Sequence, residues 1–436
     1  MLKLIKEKIS SGMGKDIVWT FSIQIAIMLC SFAITKVLST RLSVEDFGQY
    51  NVIKRSVQVL SFVMLAGVGI ALPRYIPLYR KGEEPRSISP LLAASLTYIA
   101  GITLTVCLLC QGFSNEMQRL ILGRGDSTLL FLIAQAYAFI LAMAQFTYAY
   151  YRGIGDFKWY NGTQLCIQLA IILPLVLLPQ LTATNVFASW LLITAFLVLA
   201  SWTRELWLKH QSSLSGNKQT STSPTSRIAD ELRIIVKYSF GRLLADFFLF
   251  SITAFPLIYI SNTQGLPPTA YYSVGITFVT MVTPLFSFMG IILLPYVSEC
   301  IARHEMAKAS RLVNQLTSFY LLASVLFIAF LFLFTEHLTR ILFAENYVAA
   351  SSTTRIMIFS ILPQAIYLLF RNPIDAVSLV PYNTINLGIC LVTMIIAFNL
   401  CATLPQFAWS YLGVSCLQGS LSFLTWHLIK NNFTKH

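Results

Sequence analysis

The stretch IVWTFSIQIAIMLCSFAITKVLS, residues 17–39, decides the fold class of this chain. It is predominantly apolar, and Lys36 is its one charged side chain. About 20 such residues are enough to cross the hydrocarbon core of a bilayer as an α-helix. The stretch is therefore predicted to be a transmembrane helix.

The composition of the whole chain indicates that this helix is one of many. The 436 residues are 56% hydrophobic and only 11% charged, and their mean hydropathy is +0.69. Soluble globular proteins carry charge on about a quarter of their residues, so a water-soluble fold is excluded. The net charge of +13 does not indicate a nucleic-acid partner, because the basic residues are scattered between apolar stretches. Membrane topology accounts for them better.

Apolar runs bounded by turn and charge signals predict twelve spans. They lie near 17–39, 50–76, 89–111, 127–150, 161–180, 184–203, 236–261, 269–297, 312–335, 352–371, 381–402 and 405–427. Most of the 31 Lys and Arg residues fall before the first span, in the even-numbered loops or after the last span. By the positive-inside rule, this distribution predicts that both termini are cytoplasmic. The basic N-terminal stretch lacks the features of a cleaved signal peptide and is expected to remain on the mature protein.

The longest connection divides the spans into two sets of six. It contains HQSSLSGNKQTSTSPTS, residues 210–226, a composition typical of flexible linkers. We therefore predict an N-terminal six-helix bundle at 1–203, a cytoplasmic linker at 204–235 and a C-terminal six-helix bundle at 236–436.

The two halves also share sequence features at one constant offset. The aligned positions are Leu72-Pro73 with Leu294-Pro295, Tyr50 with Tyr272, and Val52 with Val274. Because six is an even number, both halves enter the membrane with the same polarity. This predicts an all-α integral membrane fold of twelve helices, with the two bundles related by a pseudo-two-fold axis along the membrane normal. Carriers of this kind rock one bundle against the other around a binding site near the membrane centre.

Basic residues inside spans are the first candidates for a binding site. A cation at the bilayer centre costs roughly 2.5–3.5 kcal/mol on insertion scales, so such residues usually face a hydrated cavity. Lys36 lies near the outer end of the first span, and Lys54 and Arg55 lie near the outer start of the second. For Lys36 and Lys54 the alternative is that their long side chains reach the headgroups. Arg55 points about 100° away from Lys54 around the helix, and we expect it to face the cavity.

Arg242 lies about two turns into the seventh predicted span, with Asp246 four residues later on the same helical face. The pair has two interpretations: an ion pair that makes the helix tolerable in lipid, or a cationic station in the cavity that Asp246 orients. Asp246 is also the predicted site for coupling transport to Na⁺ or H⁺. Cationic groups at different depths suit an anionic headgroup, and arginine binds phosphate through two hydrogen bonds.

Helix-breaking residues inside spans indicate where a carrier could bend. Gly67 and Gly69 lie in the second span and Pro256 lies in the seventh. A hinge is one interpretation, and ordinary membrane packing is the other, because Gly and Pro are frequent in membrane helices.

No cofactor is expected beyond the coupling cation. The eight cysteines lie almost entirely in apolar segments, and the five histidines fall in predicted loops or near the chain end. Cys107 and Cys110 form a CxxC motif inside an apolar run, where we interpret them as small buried side chains.

Three motifs in the first 160 residues point to a family. They are STRLSVEDFGQY at 39–50, GVG at 67–69 with RYI at 74–76, and RGIGDFK at 152–158. In these motifs and in its division into six plus six spans, the chain resembles the Wzx-type flippases of O-antigen and other polysaccharide repeats. They form part of the multidrug/oligosaccharidyl-lipid/polysaccharide (MOP) exporter superfamily. The resemblance implies a MATE-like fold.

The resemblance also implies a function and partners. Such a protein moves an undecaprenyl-pyrophosphate-linked oligosaccharide from the cytoplasmic to the periplasmic leaflet of the bacterial inner membrane. It contacts membrane lipids and has a polysaccharide polymerase and a chain-length regulator as candidate partners. A cationic cavity receives the headgroup, and Lys36, Lys54, Arg55 and Arg242 have that character here.

Two other functions compete with this one. A multidrug and toxin extruder of the same superfamily would need an acidic or apolar cavity, because its cargo is cationic. An enzyme of the same pathway would resemble its relatives in having a large outer loop with catalytic residues, whereas every outer connection here is short. We therefore expect a transporter and not an enzyme.

Overall fold

Every regular element in the described part of the chain is helical, as the apolar sequence predicts. The computed structural model describes residues 12–81, 86–124, 127–214, 228–284, 286–287, 293, 297, 300, 305–378 and 380–433. The helices are α1 (Gly12–Arg41), α2 (Val44–Leu65), α3 (Val68–Lys81), α4 (Ser89–Gly112), α5 (Ser114–Leu122), α6 (Thr128–Ile154), α7 (Phe157–Ala170), α8 (Leu173–Leu177), α9 (Ala183–Leu214), α10 (Ile228–Thr263), α11 (Leu266–Met281), α12 (Met306–Leu342), a 3₁₀ turn (Glu345–Ala350), α13 (Ser351–Ile358), α14 (Ile361–Val377), α15 (Tyr382–Asn399) and α16 (Leu404–Phe433).

Within these residues, nine helical segments are long and apolar enough to cross a membrane. Glu345–Ile358 and Ile361–Val377 meet the same criteria together. They are bent by 47° relative to each other and give a tenth segment if the pair is one span. The twelfth predicted span corresponds to α16. The eighth, predicted at 269–297, begins in α11, and most of its positions after 287 lie outside the described residues. The protein is a multi-pass membrane protein, and the predicted twelve spans are consistent with its structure.

The helices form two compact units, whose boundaries differ from those of the two predicted halves of the sequence. The first unit comprises Met1–Leu42 and Ile53–Leu243, and the second comprises Ser43–Val52 and Leu244–His436. The first two turns of α2 thus belong to the second unit. The predicted linker at 204–235 is also shorter in the structure, because α9 continues to Leu214 and α10 begins at Ile228. Helices can extend beyond the bilayer because their backbone hydrogen bonds do not depend on an apolar sequence.

The first unit is built around α6, which packs along α3 and α9. Its helix ends are defined by local sequence. Ser127 caps the start of α6 through Leu130 N, and Gly155 ends the same helix in the left-handed conformation, with φ of 81°. Asp156 then accepts a hydrogen bond from Trp159 N and begins α7. The motif at 152–158 is therefore the turn between two membrane helices.

The second unit is built around α14, which packs against α12 and α16. The start of α2 contributes Phe47, whose ring centroid lies 5.1 Å from the ring centroid of Tyr347. Gly48 lies against the backbone carbonyl of Leu266, where a Cβ atom would not fit. A glycine at this position therefore allows α2 and α11 to approach each other closely.

The sequence repeat corresponds to equivalent structural positions. α2 begins at Val44 and α11 at Leu266, the same offset that relates the aligned tyrosines. Tyr50 and Tyr272 are both fully buried. Leu294 and Pro295, the partners of Leu72 and Pro73, lie outside the described residues.

Candidate functional site

Lys54 and Arg55 lie further from the start of their helix than the sequence predicted. The span was predicted to begin near residue 50, but α2 already begins at Val44. Ser43 explains this earlier start, because its hydroxyl accepts a hydrogen bond from Asp46 N at 3.0 Å and caps the helix. At about 1.5 Å per residue, Arg55 therefore lies roughly 16 Å along the helix from Val44. Both cations lie within the candidate span Val44–Arg80, where a charged side chain usually faces a hydrated cavity.

Both cations are half-buried. Arg55 Nη1 lies 3.4 Å from Gln58 Oε1 on the same helix. Lys36 is also half-buried, in the last two turns of α1, where its carbonyl accepts hydrogen bonds from the hydroxyls of Ser39 and Thr40. All three side chains belong to the first unit. The structure thus provides three cations inside spans of this unit.

Arg41, within the motif at 39–50, has a structural role that the sequence did not reveal. Its guanidinium donates hydrogen bonds to the carbonyls of Leu175, Leu178 and Pro179, at 2.7–2.9 Å. These carbonyls lie at the C-terminal end of α8, where a helix leaves its last acceptors without partners. Arg41 therefore fastens the end of α1 to the end of the fifth predicted span. Together with the Ser43 cap and Gly48, it makes this motif a joint between helices.

The second span is broken at Ala66 and Gly67. Both residues have positive φ, 52° and 76°, and they separate α2 from α3. A positive φ is uncommon for alanine. At Gly67 a Cβ atom would lie 2.8 Å from the carbonyl oxygen of Ser239. Gly67 was one predicted hinge residue, and the structure has a discontinuity at that position.

The other two predicted hinge residues lie inside continuous helices. Gly69 is in the first turn of α3, and Pro256 is buried inside α10, which runs without interruption from Ile228 to Thr263. A hinge function at Gly67, Gly69 or Pro256 stays a prediction.

Arg152, on the neighbouring helix α6, donates a hydrogen bond to the second span next to its break. Pro73 lies inside α3 and has no N–H, so the carbonyl of Gly69 cannot receive the usual helical hydrogen bond. Arg152 Nη2 donates to this carbonyl at 2.9 Å. Gly153 lets the two helices approach, because a Cβ atom at that position would lie 3.1 Å from the carbonyl oxygen of Leu72. The sequence singled out both Pro73 and Arg152 without connecting them.

We expect Arg152→Met to lower the free energy of unfolding by about 1–3 kcal/mol, because it leaves the Gly69 carbonyl without a donor. In a Pro73→Ala background the same substitution should cost clearly less, since the amide of residue 73 can then donate to that carbonyl. Denaturation of the purified protein in detergent measures both costs. An equal cost of Arg152→Met in the two backgrounds would contradict this role.

In the second unit, Asp246 forms an ion pair that the sequence did not predict. Arg371 Nη2 lies 3.2 Å from Asp246 Oδ1, and the side chains are 29% and 17% exposed, respectively. The sequence predicted Arg242, four residues earlier, as the partner. Arg242 lies in α10, but its side chain is outside the described residues. Arg371 was missed because the tenth span was predicted to end at residue 371.

Two further polar groups extend the ion pair into a cluster. Asn383 is buried, and its amide donates to the carbonyl of Arg371 at 2.9 Å and to Asp375 Oδ1 at 2.7 Å. Asp375 lies one turn after Arg371 in α14, which continues through Pro373 to Val377. A second acidic side chain, Asp375, therefore lies near Arg371 together with Asp246. Asp246, Arg371, Asp375 and Asn383 form what we call the charged cluster.

Among the described residues, no group of three or more His, Cys, Asp or Glu side chains could hold a metal ion. The eight cysteines are free thiols, including Cys107 and Cys110 of the CxxC motif.

Comparison with known proteins gives a family and a fold. The sequence profile of a family described as "Polysaccharide biosynthesis protein" matches residues 13–301. No curated protein matches the sequence. The structure is similar to that of a multidrug resistance MATE family transporter of the MOP superfamily in an inward-facing conformation. The TM-score is 0.69 and the identity 12%, over 95% of this chain and 99% of the other.

Two further structures have comparable similarity. One is a MOP superfamily transporter from Pyrococcus furiosus, described as having a reverse polarity of the binding pocket that suggests a different function. Its TM-score is 0.63 and its identity 14%, over 96% of this chain and 94% of the other. The second is the MATE transporter VcmN from Vibrio cholerae, with a TM-score of 0.64 and 14% identity over 98% of each chain. At such identities the similarity establishes the fold and not the transported substrate.

Proposed function

Because the chain belongs to the polysaccharide biosynthesis protein family and has the fold of MOP superfamily transporters, we propose that it is a flippase for lipid-linked oligosaccharides. The substrate is an undecaprenyl-pyrophosphate-linked repeat unit of O-antigen or another surface polysaccharide. The protein moves it by alternating access from the cytoplasmic to the periplasmic leaflet of a bacterial inner membrane. It makes and breaks no covalent bond in this process, and both of its termini are cytoplasmic.

The position of Lys54 and Arg55 within a candidate span, Val44–Arg80, is the observation that favours a pyrophosphate-linked substrate. They lie about three helical turns from the start of α2. In such a position a cation usually faces a hydrated cavity, where an arginine can bind a pyrophosphate through two parallel hydrogen bonds. A cationic drug would instead be repelled by these side chains. Lys36 and Arg242 are further headgroup ligands in this proposal.

Coupling to Na⁺ or H⁺ is assigned to Asp246. Arg371 already neutralises this carboxylate at 3.2 Å. A coupling cation would therefore act by competing with Arg371 for Asp246, so that its arrival releases a guanidinium inside the membrane. The polymerase and the chain-length regulator of the same pathway are proposed partners that receive the translocated unit.

Transport in reconstituted vesicles tests this function. The protein is placed in vesicles, and the movement of a polyprenyl-pyrophosphate oligosaccharide between leaflets is compared with the uptake of ethidium, a cationic dye. We expect movement of the lipid-linked sugar and no accumulation of ethidium. Ethidium transport without lipid movement would favour the multidrug extruder. Repeating the assay with and without Na⁺ and proton gradients tests the coupling separately.

A further inference from the structure

A row of uncharged polar side chains connects α1 and α7 inside the membrane. It consists of three hydrogen bonds between the two helices: Asn161 Nδ2 to Thr20 Oγ1 at 2.9 Å, Gln24 Nε2 to Gln164 Oε1 at 3.0 Å, and Gln168 Nε2 to Ser31 Oγ at 3.1 Å. All six side chains belong to the first unit and lie in candidate spans, Trp19–Arg41 and Phe157–Leu177. We call this row the amide ladder.

The positions of the ladder follow the helical repeat. Residues 161, 164 and 168 are three and four positions apart, so they share one face of α7. On α1 the ladder extends from Thr20 to Ser31, about 16 Å along the helix axis at 1.5 Å per residue. The ladder is thus an elongated surface that runs along much of the depth of the membrane.

The ladder is open along its edge. Asn161 is fully buried. The other side chains of the ladder are half-buried and therefore partly exposed, namely Thr20, Gln24, Ser31, Gln164 and Gln168. A carboxamide offers two N–H donors and one carbonyl acceptor, so one hydrogen bond between two glutamines uses only part of their capacity. Asn161 Oδ1 is buried without a partner among the described groups. Hydrocarbon cannot satisfy such groups, so the open edge of the ladder needs a polar ligand or water.

Holding two helices together does not require this exposure. Asn386 and Thr425 form a comparable bond between α15 and α16 at 3.1 Å, and Asn386 is 6% exposed. That bond keeps its amide buried between the helices it joins, as expected of an interhelical contact in a membrane. The two glutamine pairs of the ladder differ from it, because Gln24, Gln164 and Gln168 are all partly exposed.

We propose that the amide ladder binds the neutral hydroxyl groups of the oligosaccharide during translocation. Each sugar hydroxyl can donate one hydrogen bond and accept others, and carboxamides match both properties at once. The absence of charge among the six ladder residues suits a sugar rather than the pyrophosphate, which is left to the cationic side chains. This inference rests on the proposed function and adds to it a separate contact surface for the sugar part of the substrate.

The test compares two substrates in one double variant. Gln24→Met/Gln168→Met keeps the side-chain length and removes two amides. Its transport in vesicles is measured for a polyprenyl pyrophosphate carrying a neutral tetrasaccharide and for the same lipid carrying a single hexose. One net hydrogen bond corresponds to about a two- to tenfold change in rate. We expect tetrasaccharide transport to fall about tenfold or more and transport of the hexose lipid to change less than twofold.

Asn386→Leu is the matched control, because it removes an interhelical amide that is buried. It should lower the melting temperature while affecting the two substrates equally. If the double variant also slows both lipids equally, or slows neither, the ladder does not bind the sugar.

Transport by the wild type distinguishes a failure of the proposed flippase function from a failure of the ladder proposal. If the wild type moves neither lipid, the flippase function is wrong, and binding of the free tetrasaccharide to the detergent-solubilised protein then tests the ladder alone. Binding by the wild type that the double variant loses would support the ladder. No binding by the wild type would overturn it.

Discussion

Replacing Arg371 by methionine is expected to lower the free energy of unfolding by about 3 kcal/mol. The substitution leaves Asp246 as a carboxylate that is 17% exposed and has lost the guanidinium 3.2 Å away. Removing one partner of a buried pair typically costs about 3–5 kcal/mol, and the remaining exposure of both side chains places this pair at the lower end. Chemical denaturation of the purified protein in detergent measures the change.

The double variant Arg371→Met/Asp246→Leu distinguishes the free-energy cost of an unbalanced charge from that of lost side-chain packing. It removes both ions of the pair, so Asp246 is no longer present as a carboxylate without Arg371, and its cost should be smaller than that of Arg371→Met alone. Arg340→Met is the control for a cation in an exposed pair, since Arg340 and Glu345 are 54% and 77% exposed. Its cost should stay below about 1 kcal/mol. Equal costs for Arg340→Met and Arg371→Met would show that the charged cluster does not stabilise the second unit.

The helical membrane fold could be predicted because the bilayer limits what a sequence can do. A spanning segment must be apolar, close to 20 residues long and internally hydrogen-bonded, and all three requirements leave a signal in the sequence. The family could be recognised for a related reason. The joint formed by Arg41, Ser43 and Gly48 demands specific side chains, so its sequence is a recognisable motif.

The polar contacts could not be predicted, because they join residues that are far apart in the chain. Asp246 and Arg371 are separated by 125 positions, and Gln24 and Gln164 by 140. The sequence offered a nearer partner for Asp246 in Arg242, and spacing along one helix favoured that choice. Arg371 was assigned to the end of a span because arginine, asparagine and proline together usually end a helix in a prediction. In the structure α14 continues through Pro373.

The broken second span could be predicted only in part. Gly67 and Gly69 indicated a flexible point, and the structure breaks the helix at Ala66 and Gly67. The sequence did not reveal that Arg152 supplies the missing donor next to the break, because this bond spans 83 positions. The sequence therefore indicated where the helix breaks, and the structure was needed to find the side chain that compensates for the break.

Replacing Arg55 by alanine is expected to slow transport of a polyprenyl-pyrophosphate oligosaccharide by about tenfold to a hundredfold. A hydrogen bond to a charged group contributes about 1.5–3 kcal/mol, and each 1.4 kcal/mol corresponds to a factor of ten. Arg55→Lys should lie between the wild type and Arg55→Ala, because a lysine keeps the charge but loses the two parallel hydrogen bonds. Initial rates in reconstituted vesicles, at matched protein density, measure all three.

Two controls connect this loss to the headgroup. Lys158→Ala removes a cation that is exposed at the start of α7 and should leave transport close to the wild-type rate. The melting temperature of Arg55→Ala is measured alongside, and a value near that of the wild type would attribute the slower transport to a lost headgroup contact and not to unfolding. Wild-type transport by Arg55→Ala would mean that the headgroup does not need Arg55. In that case Lys36, Lys54 and Arg242 would be left as the proposed cationic ligands, and the same pair of assays would apply to them.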